Sequence, residues 1–148
     1  MDIRAARAED VPALLVMVQD LARHHGDTPL ADAETLARDI FGGWAQALVL
    51  QDGGNLIGYA LLLPLMRAHL GQRGMDLHHL FIVESARSQG YGTALLKGAR
   101  AHALEQDCVY LTVSTQDHNA EARDFYIHHG FSHAPPGPWR FAMDLSRG

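Results

Sequence analysis

Seven consecutive residues, Arg87-Ser88-Gln89-Gly90-Tyr91-Gly92-Thr93, carry the densest chemical signal in this sequence. They follow an apolar run and precede a stretch with helical spacing, so they read as a loop between a strand and a helix. Two glycines let the backbone come close to an anion, and successive amide N–H groups can form a cradle. The helix that follows directs its N-terminal partial positive charge at the same point. Such a loop suits a pyrophosphate. A P-loop would need Gly-Lys-Ser/Thr where Gly92-Thr93-Ala94 stands, and a dinucleotide turn would want a third glycine where Leu95 stands. The bland alternative is a tight turn with no ligand.

Two other groups have the right residue types. Asn119 and Tyr126 are seven positions apart, two helical turns, and project from nearly one face. Asn119 reads equally as a helix N-cap, and Tyr126, beside Phe125, as a core aromatic. His78-His79 precedes Leu80-Phe81-Ile82, and an imidazole can accept a proton at neutral pH. Simple alternation along a strand puts His79 with Leu77 and Phe81, and His78 with Leu80 and Ile82. A bulge, common near active sites, would upset that parity, so the choice between them stays open. The ten histidines include three adjacent pairs but no Cys/His spacing motif, and no metal is expected.

The elements that must position these groups follow from periodicity. Asp2 to Ala6 reads as a first strand. Glu9-Asp10 opens a helix with Val11, Leu14, Leu15, Val18 and Leu21 at helical spacing, ending near Gly26. Asp32 to Phe41 suggests a second helix. Ala47 to Gln51 and Leu56 to Leu63 flank Asp52-Gly53-Gly54-Asn55, which has the turn chemistry of a hairpin. Met75 to Val83 is a strand, Gly92 to Glu105 a helix, Val109 to Ser114 a strand, and Asn119 to His129 a helix stopped by Gly130. Trp139 to Leu145 alternates enough to close the sheet, after a stiff loop at Pro135-Pro136-Gly137-Pro138. Strand–helix–strand units imply parallel pairing and helices on both faces.

Composition narrows the function classes. The 148 residues suit one domain, and 47% hydrophobic with 20% charged residues can bury a core without staples. The single cysteine, Cys108, lies in an apolar run and reads as a buried thiol. A formal net charge of −5 argues against a nucleic-acid partner, which needs a basic face, and is compatible with a cationic substrate. The longest apolar stretch, Ile57 to Met66, is too short to span a bilayer and contains Pro64. No membrane partner and a cytoplasmic location are the expectation.

Arg87-x-x-Gly90-x-Gly92 after an apolar strand, followed by Thr93-Ala94-Leu95-Leu96, resembles the coenzyme A loop of GCN5-related N-acetyltransferases (GNAT). About 25 residues on, Asn119 to Tyr126 and then Gly130-Phe131 resemble that family's second motif. The resemblance runs over nearly the whole chain and is strongest from Leu77 to Phe131. Leu21-Ala22, the long strand before Leu77, and Gly137-Pro138-Trp139-Arg140-Phe141 look most like the diamine and thialysine acetyltransferase branch.

The resemblance implies an α/β fold in residues 1–148, a single domain. Its mixed, mostly antiparallel twisted sheet would have six to seven strands, a splayed central pair, and about four helices on both faces. It implies acetyl-CoA as co-substrate and direct attack by a primary amine in a ternary complex, and it admits a homodimer. Leu80, Phe81, Ile82 and Val83 would pair by backbone with the pantetheine arm. Arg87, Ser88, Gln89, Gly90, Tyr91, Gly92 and Thr93 would hold the pyrophosphate, and Asn119 the pantetheine chain. Tyr126 would lie near the coenzyme sulfur as general acid. Where the diamine branch carries acidic residues this chain has His78-His79, which makes either histidine the candidate base and weakens a polyamine as acceptor. A small amine, an aminoglycoside, or a protein N-terminus or lysine remain open as acceptors. A coenzyme A-binding sensor without turnover is the rival reading. A nucleotide-dependent kinase lacks its lysine and Mg²⁺ ligands.

Overall fold

The structure, a computed structural model, describes residues 1–116, 118–133, 137 and 139–146. Residues 1–114 and 115–148 form two compact units.

The first unit is built on five strands in the order of the chain: β1 (Asp2–Ala5), β2 (Gln46–Asp52), β3 (Asn55–Arg67), β4 (Gln72–Ile82) and β5 (Cys108–Val113). The first four are antiparallel neighbours, and β4 and β5 are parallel. Gly53 and Gly54 both have positive φ, 58° and 86°, as the tight turn between β2 and β3 requires. Three helices complete the unit: α1 (Val11–His24), α2 (Ala33–Phe41) and α3 (Tyr91–Glu105).

The core sits on both sides of the sheet. Leu14, Met17 and Leu21 of α1 pack with Ala47, Val49, Tyr59 and Phe81, the residues of one strand face. Leu95, Leu96, Ala99 and Ala103 of α3 are buried, and the Leu95 side chain lies over Gly58, whose position has the opposite parity to Tyr59. The start of α2 is fixed by Asp32, which accepts from Thr35 N at 2.8 Å while its own N–H donates back to Thr35 Oγ1 at 3.2 Å.

A partly buried ion pair ties β1, β2 and the start of α1 together. Arg4 donates Nη1 and Nη2 to the two oxygens of Asp10 at 2.7 and 3.0 Å, and Nε and Nη2 to Gln51 Oε1. Asp10 also accepts from Arg7 N at 2.7 Å. The Arg4 hydrogen bond, more than any other contact, holds the Asp10 carboxyl below its ordinary range. Because the native value is depressed, this stabilisation is complete above the ordinary carboxylate pKa of about 3.9 and is lost as pH falls through the native value. Asp10→Ala, which leaves the Arg4 guanidinium with Gln51 alone, is expected to cost about 1.5–3 kcal/mol and to flatten the acid side of the stability profile. Denaturant midpoints measured across pH check both.

Several elements run differently from the sequence reading. β3 extends through Pro64 to Arg67, pairing Pro64 with Met75. Its last partner on β2 is the Gln46↔Leu62 pair, so on that side Pro64 lies past the ladder, where its missing N–H breaks no bond. The six to seven strands expected are five among the described residues. Trp139 to Leu145 forms no strand, and Trp139, Phe141, Met143 and Leu145 are all exposed. Alternation states only that a segment would suit a half-buried pleat, and a strand also needs a partner. The proline loop at 135–138 lies outside the described residues, Gly137 excepted. Cys108 is buried, as expected. Among the described residues no helix is long and apolar enough to cross a membrane.

In the second unit, α4 (Ala120–His128) is the one regular element among the described residues.

Candidate active site

The phosphate-loop residues stand where a strand loses its neighbour. β5 last pairs with β4 at Leu77↔Val113, and among the described residues β4 from His79 to Ile82 pairs with β3 alone. In an antiparallel ladder each strand aims alternate N–H and C=O groups away from its partner, so this end of β4 has backbone groups available to an extended ligand. A short turn at Glu84–Ala86 then leads into the loop.

The loop geometry follows from its glycine. Gly90 has φ 83°, and a Cβ built there meets nothing within 4 Å, so the space beside it is open. α3 begins at the next residue, and its first hydrogen bond is Ala94 N to Gly90 O at 3.1 Å. A helix start leaves its first amides without carbonyl partners inside the helix. Open space, orphan amides and the helix dipole therefore converge beside Gly90, and this donor set fits an anion. Ser88 also takes a positive φ, 63°, uncommon for a residue with a Cβ.

Two loop side chains are committed to the fold. Arg87 donates Nε to the carbonyl of Ile82 at 3.0 Å, and its guanidinium lies 5.6 Å from the Phe81 ring centre. This bridges the loop to the end of β4 and leaves the Nη groups exposed. Tyr91 donates its hydroxyl to Asp52 at 3.1 Å, across to the β2–β3 turn, so only its amide faces the loop. The cavity lined by Pro64, Met66, Arg73, Met75 and Cys108 opens at the opposite end of β4 and is not this site.

The histidine pair is shaped by a bulge. Leu61 pairs with His79 and Leu62 with Leu77, so His78 is an extra residue in β4. The bulge splits the set that simple alternation grouped: His79 and Phe81 share the Tyr59 face, and Leu77 goes with Leu62 to the other. It also turns His78 and His79 to the same side, where their rings stack at 4.5 Å and 13°. His78 is exposed and His79 half-buried. His79 Nδ1 lies 3.0 Å from the Tyr59 hydroxyl. Burial, with smaller effects from His78 and His25, pulls His79 down to about 4. Burial also raises Tyr59 above the ordinary phenol range.

In the second unit, Asn119 caps α4, its Oδ1 accepting from Ala122 N at 3.0 Å. That leaves the side-chain NH₂ as a donor. Tyr126 is half-buried, with ring contacts to Phe125 at 5.2 Å and Phe131 at 5.4 Å. Burial pushes its hydroxyl up to about 12, so it stays protonated at physiological pH.

Sequence reasoning missed Tyr59. Gly58-Tyr59 carries no spacing signal, and only the β3–β4 register brings Tyr59 to His79.

The chain belongs to the acetyltransferase (GNAT) family, whose sequence model matches residues 16–131. It is 30% identical over 134 residues to the uncharacterized N-acetyltransferase YhfO of Bacillus subtilis (strain 168), covering 88% of this chain and 89% of that one. It is 26% identical over 136 residues to the thialysine N-epsilon-acetyltransferase of Sus scrofa, covering 84% and 79%. Among solved structures, that of a probable acetyltransferase superposes with a TM-score of 0.88 at 21% identity, over 97% of this chain and 99% of that one. That likeness is one of fold.

Proposed function

We propose that this GNAT acetyltransferase uses acetyl-CoA to acetylate the primary amine of a small molecule, within one domain spanning residues 1–148. The observation that carries the reading is the Gly90 turn at the start of α3, with open space beside it, after the end of β4 whose edge toward β5 has no ladder partner. Leu80, Phe81, Ile82 and Val83 offer backbone to the pantetheine arm. The amides of Ser88 to Thr93 take the pyrophosphate, with the Arg87 Nη groups beside them. Asn119 donates its NH₂ to the pantetheine chain.

An alkylamine with a pKa near 10.4 is neutral in only on the order of one part in a thousand at pH 7, so the enzyme must remove a proton before attack. A histidine on β4 takes it. The nitrogen lone pair then forms the C–N bond as the C–S bond breaks. Tyr126 gives its hydroxyl proton to the leaving sulfur and recovers one from the acceptor nitrogen. Holding amine and thioester in line contributes alongside these proton transfers.

The small acceptor is favoured by the net charge of −5, which suits a cation, and by the similarity to an enzyme named for thialysine. Screening thiol release across polyamines, amino-acid-like amines, aminoglycosides and peptides should give turnover among the small amines. Acetylation of peptides or proteins alone would overturn the acceptor class and leave the family untouched.

A further inference from the structure

The two stacked histidines are not equivalent. Tyr59 has no exposed surface, and among the described residues His79 Nδ1 is the sole hydrogen-bond partner of its hydroxyl. A buried O–H without an acceptor costs about 1–3 kcal/mol, so the Tyr59 proton goes to Nδ1. A ring nitrogen accepts only when it carries no proton itself. The proton of neutral His79 therefore sits on Nε2, which makes that nitrogen a donor.

Protonating His79 would set Nδ1–H against Tyr59 O–H, two donors facing each other away from water. The hydroxyl would have to give up the one acceptor it has among the described residues. The titratable groups that face His79 act the same way: His78 on β4 and His25 at the end of α1 both disfavour a charge on it. His78 meets no such hydroxyl: its ring is exposed and lies flat on that of His79 at 4.5 Å.

We infer that Tyr59 divides the pair: His78 is the base for the acceptor amine, and His79 is a fixed Nε2–H donor. Tyr59 is then a positioning residue, acting through His79. The inference rests on the acetyl-transfer reading for its substrate, while the tautomer stands on geometry alone. From ammonium to amide the acceptor nitrogen loses two protons. One passes through His78 to water, and the other replaces the proton that the coenzyme sulfur receives.

Long-range ¹H–¹⁵N correlation on the full chain labelled at histidine tests the lock without any reaction. The expected pattern for His79 is Nε2–H with Nδ1 as a hydrogen-bonded acceptor, neutral through the pH range in which free histidine charges. Tyr59→Phe should move the Nδ1 resonance toward that of an unbonded acceptor. In kinetics, His78→Gln should lose roughly tenfold or more in kcat/KM together with the acidic limb of the pH profile. His79→Leu, which removes one hydrogen-bond donor, should lose about tenfold and keep that limb, and His79→Gln, which retains an N–H, should recover part of the rate. An Nδ1–H pattern for His79 overturns the lock. Loss of the acidic limb in His79→Gln, with its retention in His78→Gln, overturns the assignment of the base. If wild type acetylates no amine, the acetyl-transfer reading falls and the base falls with it, while the tautomer still decides the lock.

Discussion

Gly90→Val is expected to weaken acetyl-CoA binding by roughly ten- to hundredfold, on the order of 1.4–3 kcal/mol, in a protein that still folds. Two effects combine. Gly90 has φ 83°, where a residue with a Cβ is strained by about 1–2 kcal/mol, and a β-branched one is a marked outlier. The loop would relieve that strain by moving, which disperses the amides aimed at the anion. Any Cβ left in place projects into space where, beyond the adjacent residues, no described atom lies within 4 Å, the space the proposed ligand would occupy. Gly90→Ala shares the backbone strain with less bulk and should lose less. Calorimetry with acetyl-CoA, beside thermal unfolding of each variant, separates the two effects. Unchanged affinity in a folded Gly90→Val protein would return the loop to a plain turn.

Tyr126→Phe is expected to lower kcat roughly ten- to thousandfold with little change in acetyl-CoA affinity. The substitution keeps the ring contacts with Phe125 and Phe131 and removes only the hydroxyl. With that hydroxyl at about 12 and a model thiol near 8.5, full transfer to the sulfur is uphill by about 5 kcal/mol at 1.36 kcal/mol per pKa unit. The hydroxyl therefore acts first as a hydrogen-bond donor to charge growing on sulfur, which favours the lower part of that range. The raised value also fixes a sign. Tyr126 stays protonated as pH rises, so it contributes no fall in rate until the pH nears that value. Chemistry must be shown to limit turnover before kcat is compared. An unchanged kcat then leaves Tyr126 as a packing residue.

The candidate site was legible in the sequence wherever it rests on local chain geometry. Gly90 must be glycine because the turn before α3 needs a positive φ, and the orphan amides come with any helix start. The seven-residue spacing of Asn119 and Tyr126 is likewise a property of one helix. What depends on pairing between strands was not legible. Parity at His78 and His79 turned on a single extra residue in β4, which the order of apolar residues does not mark. Tyr59 meets His79, and so enters the candidate site, only through the register of β3 on β4. The same limit explains Trp139 to Leu145: alternation was present, but pairing is a relation between two segments and is not written in one. Asn119 shows a third case, since the cap and the ligand reading draw on different atoms of one side chain.

A rapid-quench single turnover with acetyl-labelled acetyl-CoA, run with and without an accepted amine, tests direct transfer most closely. Without amine, the label should remain on the coenzyme and none should appear on the protein. With amine, the label should pass to the acceptor nitrogen in one phase, matched by free thiol. A labelled protein formed in the absence of amine, or label that never leaves the coenzyme with any amine, would contradict the account.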